Sequence, residues 1–105
     1  MAREKSWQNV IPIGDLEKDW VTLATLGKLD LAIYDTPGGL YASLASCNHG
    51  GANLCDGYFD GYIIECPLHQ GAFDVRSGKA VAAPATRSMK MIEVRELEGV
   101  VQVLF

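Results

Sequence analysis

Cys47-Asn48-His49 and Cys66-Pro67-Leu68-His69 are two short pairs, each joining a thiolate donor to an imidazole, with sixteen residues between His49 and Cys66. Two Cys and two His could hold a structural zinc, but common zinc knuckles repeat one residue type, as C-x₂₋₄-C followed by H-x₃₋₅-H. Here each pair is mixed, which favours two inequivalent metals over one. A [2Fe–2S] unit with two His replacing two Cys on one iron needs this donor set. If each loop gives its Cys to one iron and its His to the other, two loops grip a flat two-iron unit from opposite sides. A doubly positive oxidised core against two thiolates is neutral, whereas four thiolates would leave it at minus two. The neutral site accepts an electron more easily, within a range of roughly −150 to +300 mV. Zinc, and metal-free burial of the four side chains, are the alternatives.

The run from Cys47-Asn-His-Gly-Gly through Cys66-Pro-Leu-His-Gln-Gly-Ala-Phe-Asp, then Ser77-Gly-Lys-Ala and Ala82-Ala-Pro-Ala, resembles the Rieske ferredoxins of bacterial aromatic-ring-hydroxylating dioxygenases, especially the naphthalene and biphenyl type. The similarity continues at lower specificity to both ends of the chain. It implies a Rieske fold of three small antiparallel sheets, with the cluster-binding loops forming a tip. It further implies one [2Fe–2S] cluster, with Cys47 and Cys66 on the inner iron and His49 and His69 on the outer one. Each His would bind through the ring nitrogen nearer the backbone. The Ala82-Ala83-Pro84 segment matches the proline loop that covers the cluster in this family.

There are three Cys, two of them claimed as ligands, so no intrachain disulfide can form once a cluster is in place. Membrane respiratory Rieske proteins carry an extra Cys beside each ligand pair, where this chain has Ala52 and Leu68. Cys55, next to Leu54, reads as a small buried hydrophobe.

At 105 residues and 49% hydrophobic, the chain suits one domain over 1–105 with a modest core, its cluster-binding part at about 45–85. A cluster tying two loops together would offset the small core. No run approaches the roughly eighteen apolar residues of a membrane span. Met1-Ala-Arg-Glu-Lys lacks the apolar stretch of a signal peptide, so a cytoplasmic location is expected. Net charge is −4, and no Lys or Arg falls between Lys28 and Arg76, while Asp30, Asp35, Asp56, Asp60, Glu65 and Asp74 do. That pattern predicts an acidic tip steering toward basic redox partners, and it disfavours nucleic acid.

The organisation reads as all-β. Leu29, Leu31 and Ile33 alternate with Asp30, Ala32 and Tyr34, and Leu40, Ala42 and Leu44 follow Pro37-Gly38-Gly39, which predicts a hairpin. A second hairpin is expected from Met91–Leu97 and Val100–Leu104 around Glu98-Gly99. Trp7–Ile11, Trp20–Thr25, Gly61–Glu65 and Gly71–Asp74 are shorter strand candidates, with Trp7 and Trp20 in or beside the core. Gly71 with Gly78-Lys79-Ala80 is not a phosphate loop, because the spacing is too long and Ala80 replaces the required Ser or Thr.

His49 and His69 are the only histidines, and both are spent on the cluster, so no mononuclear 2-His-1-carboxylate iron site can be built beside it. The chain is therefore expected to be no enzyme but a monomeric one-electron carrier between a flavoprotein ferredoxin reductase and a terminal oxygenase component. The alternatives are a Rieske subunit of another redox system (nitrite, arsenite or a different monooxygenase) and a zinc-stabilised binding module.

Overall fold

A computed structural model describes residues 4–46, 53–67, 71–83 and 88–105. Strands among them are β1 (Trp7–Pro12), β2 (Val21–Leu26), β3 (Leu29–Thr36), β4 (Gly39–Leu44), β5 (Tyr58–Asp60), β6 (Ile63–Glu65), β7 (Ala72–Asp74), β8 (Ala80–Ala82), β9 (Met91–Ile92), β10 (Val94–Leu97) and β11 (Val100–Leu104). They form three antiparallel sheets, ordered β1-β11-β10, β2-β3-β4-β9 and β5-β6-β7-β8. The only helices among the described residues are two three-residue 3₁₀ turns, Ile13–Asp15 and Leu54–Asp56. The all-β expectation and the three small sheets are both present.

The period-2 geometry of β3 explains how the sheets stack, because successive side chains point to opposite faces. Leu31 and Ile33 pack with Ala24, Ala42, Ile92, Val101 and Val103, which joins the middle sheet to the β1-β11-β10 sheet. Ala32 and Tyr34 face the other way, among Val21, Ala45, Leu54, Phe59, Ile64, Cys66, Phe73, Val75 and Met89. Leu31, Ala32, Ile33 and Tyr34 are all fully buried, so one strand serves two cores. Tyr34 places a hydroxyl inside, 2.9 Å from Ser43 Oγ. Ser43 Oγ donates its own proton to the Leu44 carbonyl at 2.9 Å, leaving Tyr34 as the donor to Ser43.

The expected strand Met91–Leu97 is divided between two sheets: Ile92 pairs with Ala42, whereas Val94 pairs with Val103. Ile92 and Val94 nevertheless pack on the same core. The chain turns a corner at Glu93 so that both layers are covered, as strands that switch sheets do. β5 and β8 were absent from the sequence expectation, and each is three residues long. Trp20 packs against the second core and meets Tyr58 edge-on at 6.1 Å, while Trp7 is half-buried beneath the Arg95 guanidinium at 4.1 Å.

Cys55 also packs against the second core. Burial, with the Asp56 and Asp30 carboxylates adding to it, pushes its thiol from 9.0 up to about 12. Below pH 9 the proton is held in both folded and unfolded chains. Between about pH 9 and 12 only the unfolded chain releases it, so stability contributed by the neutral thiol is lost as pH rises through that window. In the folded protein Cys55 should stay unlabelled by a disulfide reagent at pH 8, and become labelled in denaturant.

Two further outcomes follow from the packing and the turns. Leu31→Ala should cost about 2–5 kcal/mol in urea unfolding, because it empties a site with no exposure. The β10–β11 turn holds Glu98 at φ 52 and Gly99 at φ 82, the left-handed pair that favours Asn-Gly. Glu98→Asn should therefore raise the urea midpoint, by about 0.5–1 kcal/mol in stability.

Candidate metal centre

Three segments are closed at their feet by backbone pairs. After β4, Ser46 and Asn53 form an isolated bridge, and Leu54 N–H donates to the Ala45 carbonyl at 2.7 Å. The Asn53 side chain accepts from Cys55 N–H at 2.8 Å and caps the 3₁₀ turn. Between β6 and β7, Glu65 pairs with Ala72, and Cys66 N–H donates to the Gly71 carbonyl at 2.7 Å. After β8, Met89 N–H returns to the Gly78 carbonyl at 2.6 Å. Gly78 sits at φ +80, and a Cβ there would collide with the Met89 carbonyl oxygen. Only glycine satisfies both demands.

Of the four ligand candidates, the structure places Cys66, at the foot of the β6–β7 loop. Cys47, His49 and His69 lie outside the described residues, as do Gly50, Gly51 and Pro84. Cys66 is 2% exposed, shares its core with Ile64, Phe73 and Phe59, and forms no disulfide. A thiolate against such apolar walls is costly unless a cation neutralises it, so the donor chemistry suits a metal-sulfur group of low net charge. Among the described residues no three His, Cys, Asp or Glu side chains gather into a cation site.

The expected acidic tip is only half present. Asp30, whose carbonyl accepts from Ala45 N–H at 2.9 Å, stands near the Ser46–Asn53 foot, and Asp56 and Glu65 lie in sequence close to the loop feet. Asp35 and Asp60 stand at the opposite strand ends, beside the β3–β4 and β5–β6 turns. With Asp19, Trp20, Pro37, Phe59 and Gly61 they line a cleft of about 350 Å³. Asp74, paired with Ile63 at that same far end, receives Arg76 Nη2 at 2.8 Å and Nε at 3.0 Å. The Arg76 hydrogen bond holds the Asp74 carboxyl below its ordinary 3.8. Its stabilising contribution is therefore present above pH 3.8 and is lost as pH falls through the lower folded value. Arg76 also stacks on Tyr62, 4.2 Å from the ring centroid, bracing the far end of the β6–β7 hairpin. A linear run of charge divides this way because hairpins send alternate turns to opposite ends.

The supporting residues Asn53 and Gly78 were not singled out as loop anchors by the sequence reading. Asn53 carried an N-cap signal ahead of a turn too short to show a helical period. Gly78 was visible as part of Ser77-Gly-Lys-Ala and of the rejected phosphate-loop spacing, without the Met89 carbonyl that makes it necessary.

Comparison with known proteins agrees with this geometry. Residues 6–98 match the family model described as Rieske [2Fe-2S] domain. The ferredoxin component of the naphthalene 1,2-dioxygenase system of Pseudomonas putida is 44% identical over 90 residues, covering 85% of this chain and 86% of its own. The anthranilate 1,2-dioxygenase ferredoxin subunit of Burkholderia cepacia is 32% identical, covering 92% and 90%. Among solved structures, a Sphingomonas yanoikuyae B1 ferredoxin superposes with a TM-score of 0.87 at 32% identity, covering 95% of this chain and 99% of that one. The ferredoxin complexed with oxygenase in carbazole 1,9a-dioxygenase gives 0.84 at 35% identity, covering 93% and 92%. With closed loop feet, a buried free thiol at one of them and a family match running nearly end to end, the chain belongs to the Rieske [2Fe–2S] domain family.

Proposed function

We propose that this chain is the one-electron carrier of an aromatic-ring dioxygenase system, receiving electrons from a flavin-dependent NAD(P)H reductase and passing them to a terminal oxygenase. It carries a Rieske-type [2Fe–2S] cluster and is an electron-transfer component, not a catalytic subunit. Relatives named as ferredoxin components of naphthalene and anthranilate systems support the reading, and a solved oxygenase–ferredoxin complex supports the oxygenase as partner. The observation that carries it is Cys66, buried and disulfide-free where the β6–β7 loop begins.

Cys47, His49, Cys66 and His69 are the ligands in this reading, thiolates on one iron and imidazoles on the other. When bound, the cluster supplies a one-electron step that changes the net charge by one. The chain's own part is to hold a thiolate out of water on a hairpin foot fixed by the Cys66–Gly71 hydrogen bond. Pro67 and Ala82–Ala83, exposed and uncharged, lie near that end because β8 pairs Ala82 with Ala72. A partner can approach such a surface without desolvating a charge there. We take residues 1–105 as one Rieske domain with its cluster-binding part at about 45–85, monomeric and cytoplasmic, without nucleic-acid or membrane partners. Supporting this are the net charge of −4 and three cysteines in no framework spacing. Among the described residues no helix is long and apolar enough to cross a membrane.

Protein purified without oxygen should be coloured and hold two irons and two acid-labile sulfides per chain. Colourless protein holding zinc and no sulfide would overturn the assignment. His69→Ala should lose the cluster, read as iron and sulfide per chain, and full retention would remove His69 from the ligand set. Reconstitution with a flavoprotein reductase and a terminal oxygenase should give turnover that depends on this chain, and equal turnover without it would overturn the carrier role.

A further inference from the structure

Gly57 has φ −85 and ψ −169, a backbone open to any residue, so its bare Cα answers a need for space. β5 and β6 pair Tyr58 with Glu65, Phe59 with Ile64 and Asp60 with Ile63. One step further in that register, Gly57 stands opposite Cys66. A Cβ on Gly57 would run into the Glu65 carbonyl oxygen, with the Glu65 carbonyl carbon at 3.1 Å and the Leu54 carbonyl oxygen at 3.2 Å. All three are backbone atoms, so none can swing aside as the end of a side chain would. Gly57 cannot retreat either, because its N–H donates to the Leu54 carbonyl at 3.0 Å.

The contact lies between two ligand loops. Asn53, at the foot of the first, is followed by the turn in which Asp56 N–H donates to the Asn53 carbonyl at 3.0 Å, and Gly57 ends that turn. The peptide it presses on is the one that leads into Cys66. We propose that Gly57 is a positioning residue for the metal centre: its missing side chain lets the outgoing strand of the first loop lie against the Glu65–Cys66 peptide, and this sets where the Cys66 thiolate stands relative to the Ser46–Asn53 foot. The proposal rests on the reading of Cys66 as a cluster ligand. A methyl group at 57 pushes the two loop feet apart at the level of the ligand sulfur, so the damage falls first on the metal centre.

Gly57→Ala is compared with wild type and with Gly14→Ala, where an added Cβ meets nothing within 4 Å. The readouts on protein purified without oxygen are cluster loss to a chelator, electron paramagnetic resonance g-values of the reduced form and the midpoint potential. Gly57→Ala should lose its cluster at least about tenfold more readily, or keep it with shifted g-values and potential, while Gly14→Ala matches wild type. Wild-type retention, g-values and potential in Gly57→Ala would overturn the proposal. A second measurement needs no variant. Labelling glycine carbonyl carbons with ¹³C and tyrosine nitrogens with ¹⁵N selects two peptides, Gly57–Tyr58 and Gly61–Tyr62. One-electron reduction should shift or broaden the first well beyond the second, and an equal response would count against Gly57 lying at the ligand. Wild-type protein without iron and sulfide sinks the cluster reading itself; loaded wild type with an indifferent Gly57→Ala sinks only the role of Gly57.

Discussion

Burial of β3 on both faces is the constraint from which the rest of the architecture follows. A strand with one face in water can alternate apolar and polar residues, but Leu31, Ala32, Ile33 and Tyr34 are apolar or aromatic in succession and all fully buried. The middle sheet must therefore be covered twice, once by the β1-β11-β10 sheet and once by the smaller sheet that carries Cys66. A small chain gains two cores from one shared layer, which eases the surface-to-volume penalty on domains of this size. This arrangement carries the hydroxyl of Tyr34 deep inside, where Ser43 on the neighbouring strand is its hydrogen-bond partner.

Sharing a layer also couples the scaffold to the site. Tyr34 touches the Phe59 ring on β5 at 5.4 Å between centroids, and β5 is the strand that leads from Gly57 away from the metal centre. Packing on the middle sheet thus fixes the small sheet, whose hairpin in turn fixes Cys66. The Asp74–Arg76–Tyr62 contacts hold the opposite end of the same hairpin, so the loop end is steadied from below.

Much of this was legible in the residues. The β3–β4 hairpin shows because Pro37-Gly38-Gly39 separates two clean alternations, and the two Cys/His pairs are a reading of the sequence of which Cys66 alone falls among the described residues. The corner at Glu93 did not show, since Ile92 and Val94 keep one alternating pattern while pairing with different sheets. β5 and β8 escaped because their existence as strands depends on neighbours such as Ile64 and Phe73. Charge misled for a related reason. Asp30 and Asp35 are close in sequence, yet β3 carries them to opposite ends of the sheet, and no linear count records that. Gly57 was just one glycine among many until the register set it across from Cys66.

Segments 47–52 and 67–70 are each closed at the base by a short backbone contact, Leu54 N–H to the Ala45 carbonyl and Cys66 N–H to the Gly71 carbonyl. The entropy of closing such an excursion grows only slowly with its length. Closure entropy therefore does little to fix the length of 47–52 and 67–70, and under the proposed ligand assignment it is the spacing within Cys47–His49 and Cys66–His69 that fixes it.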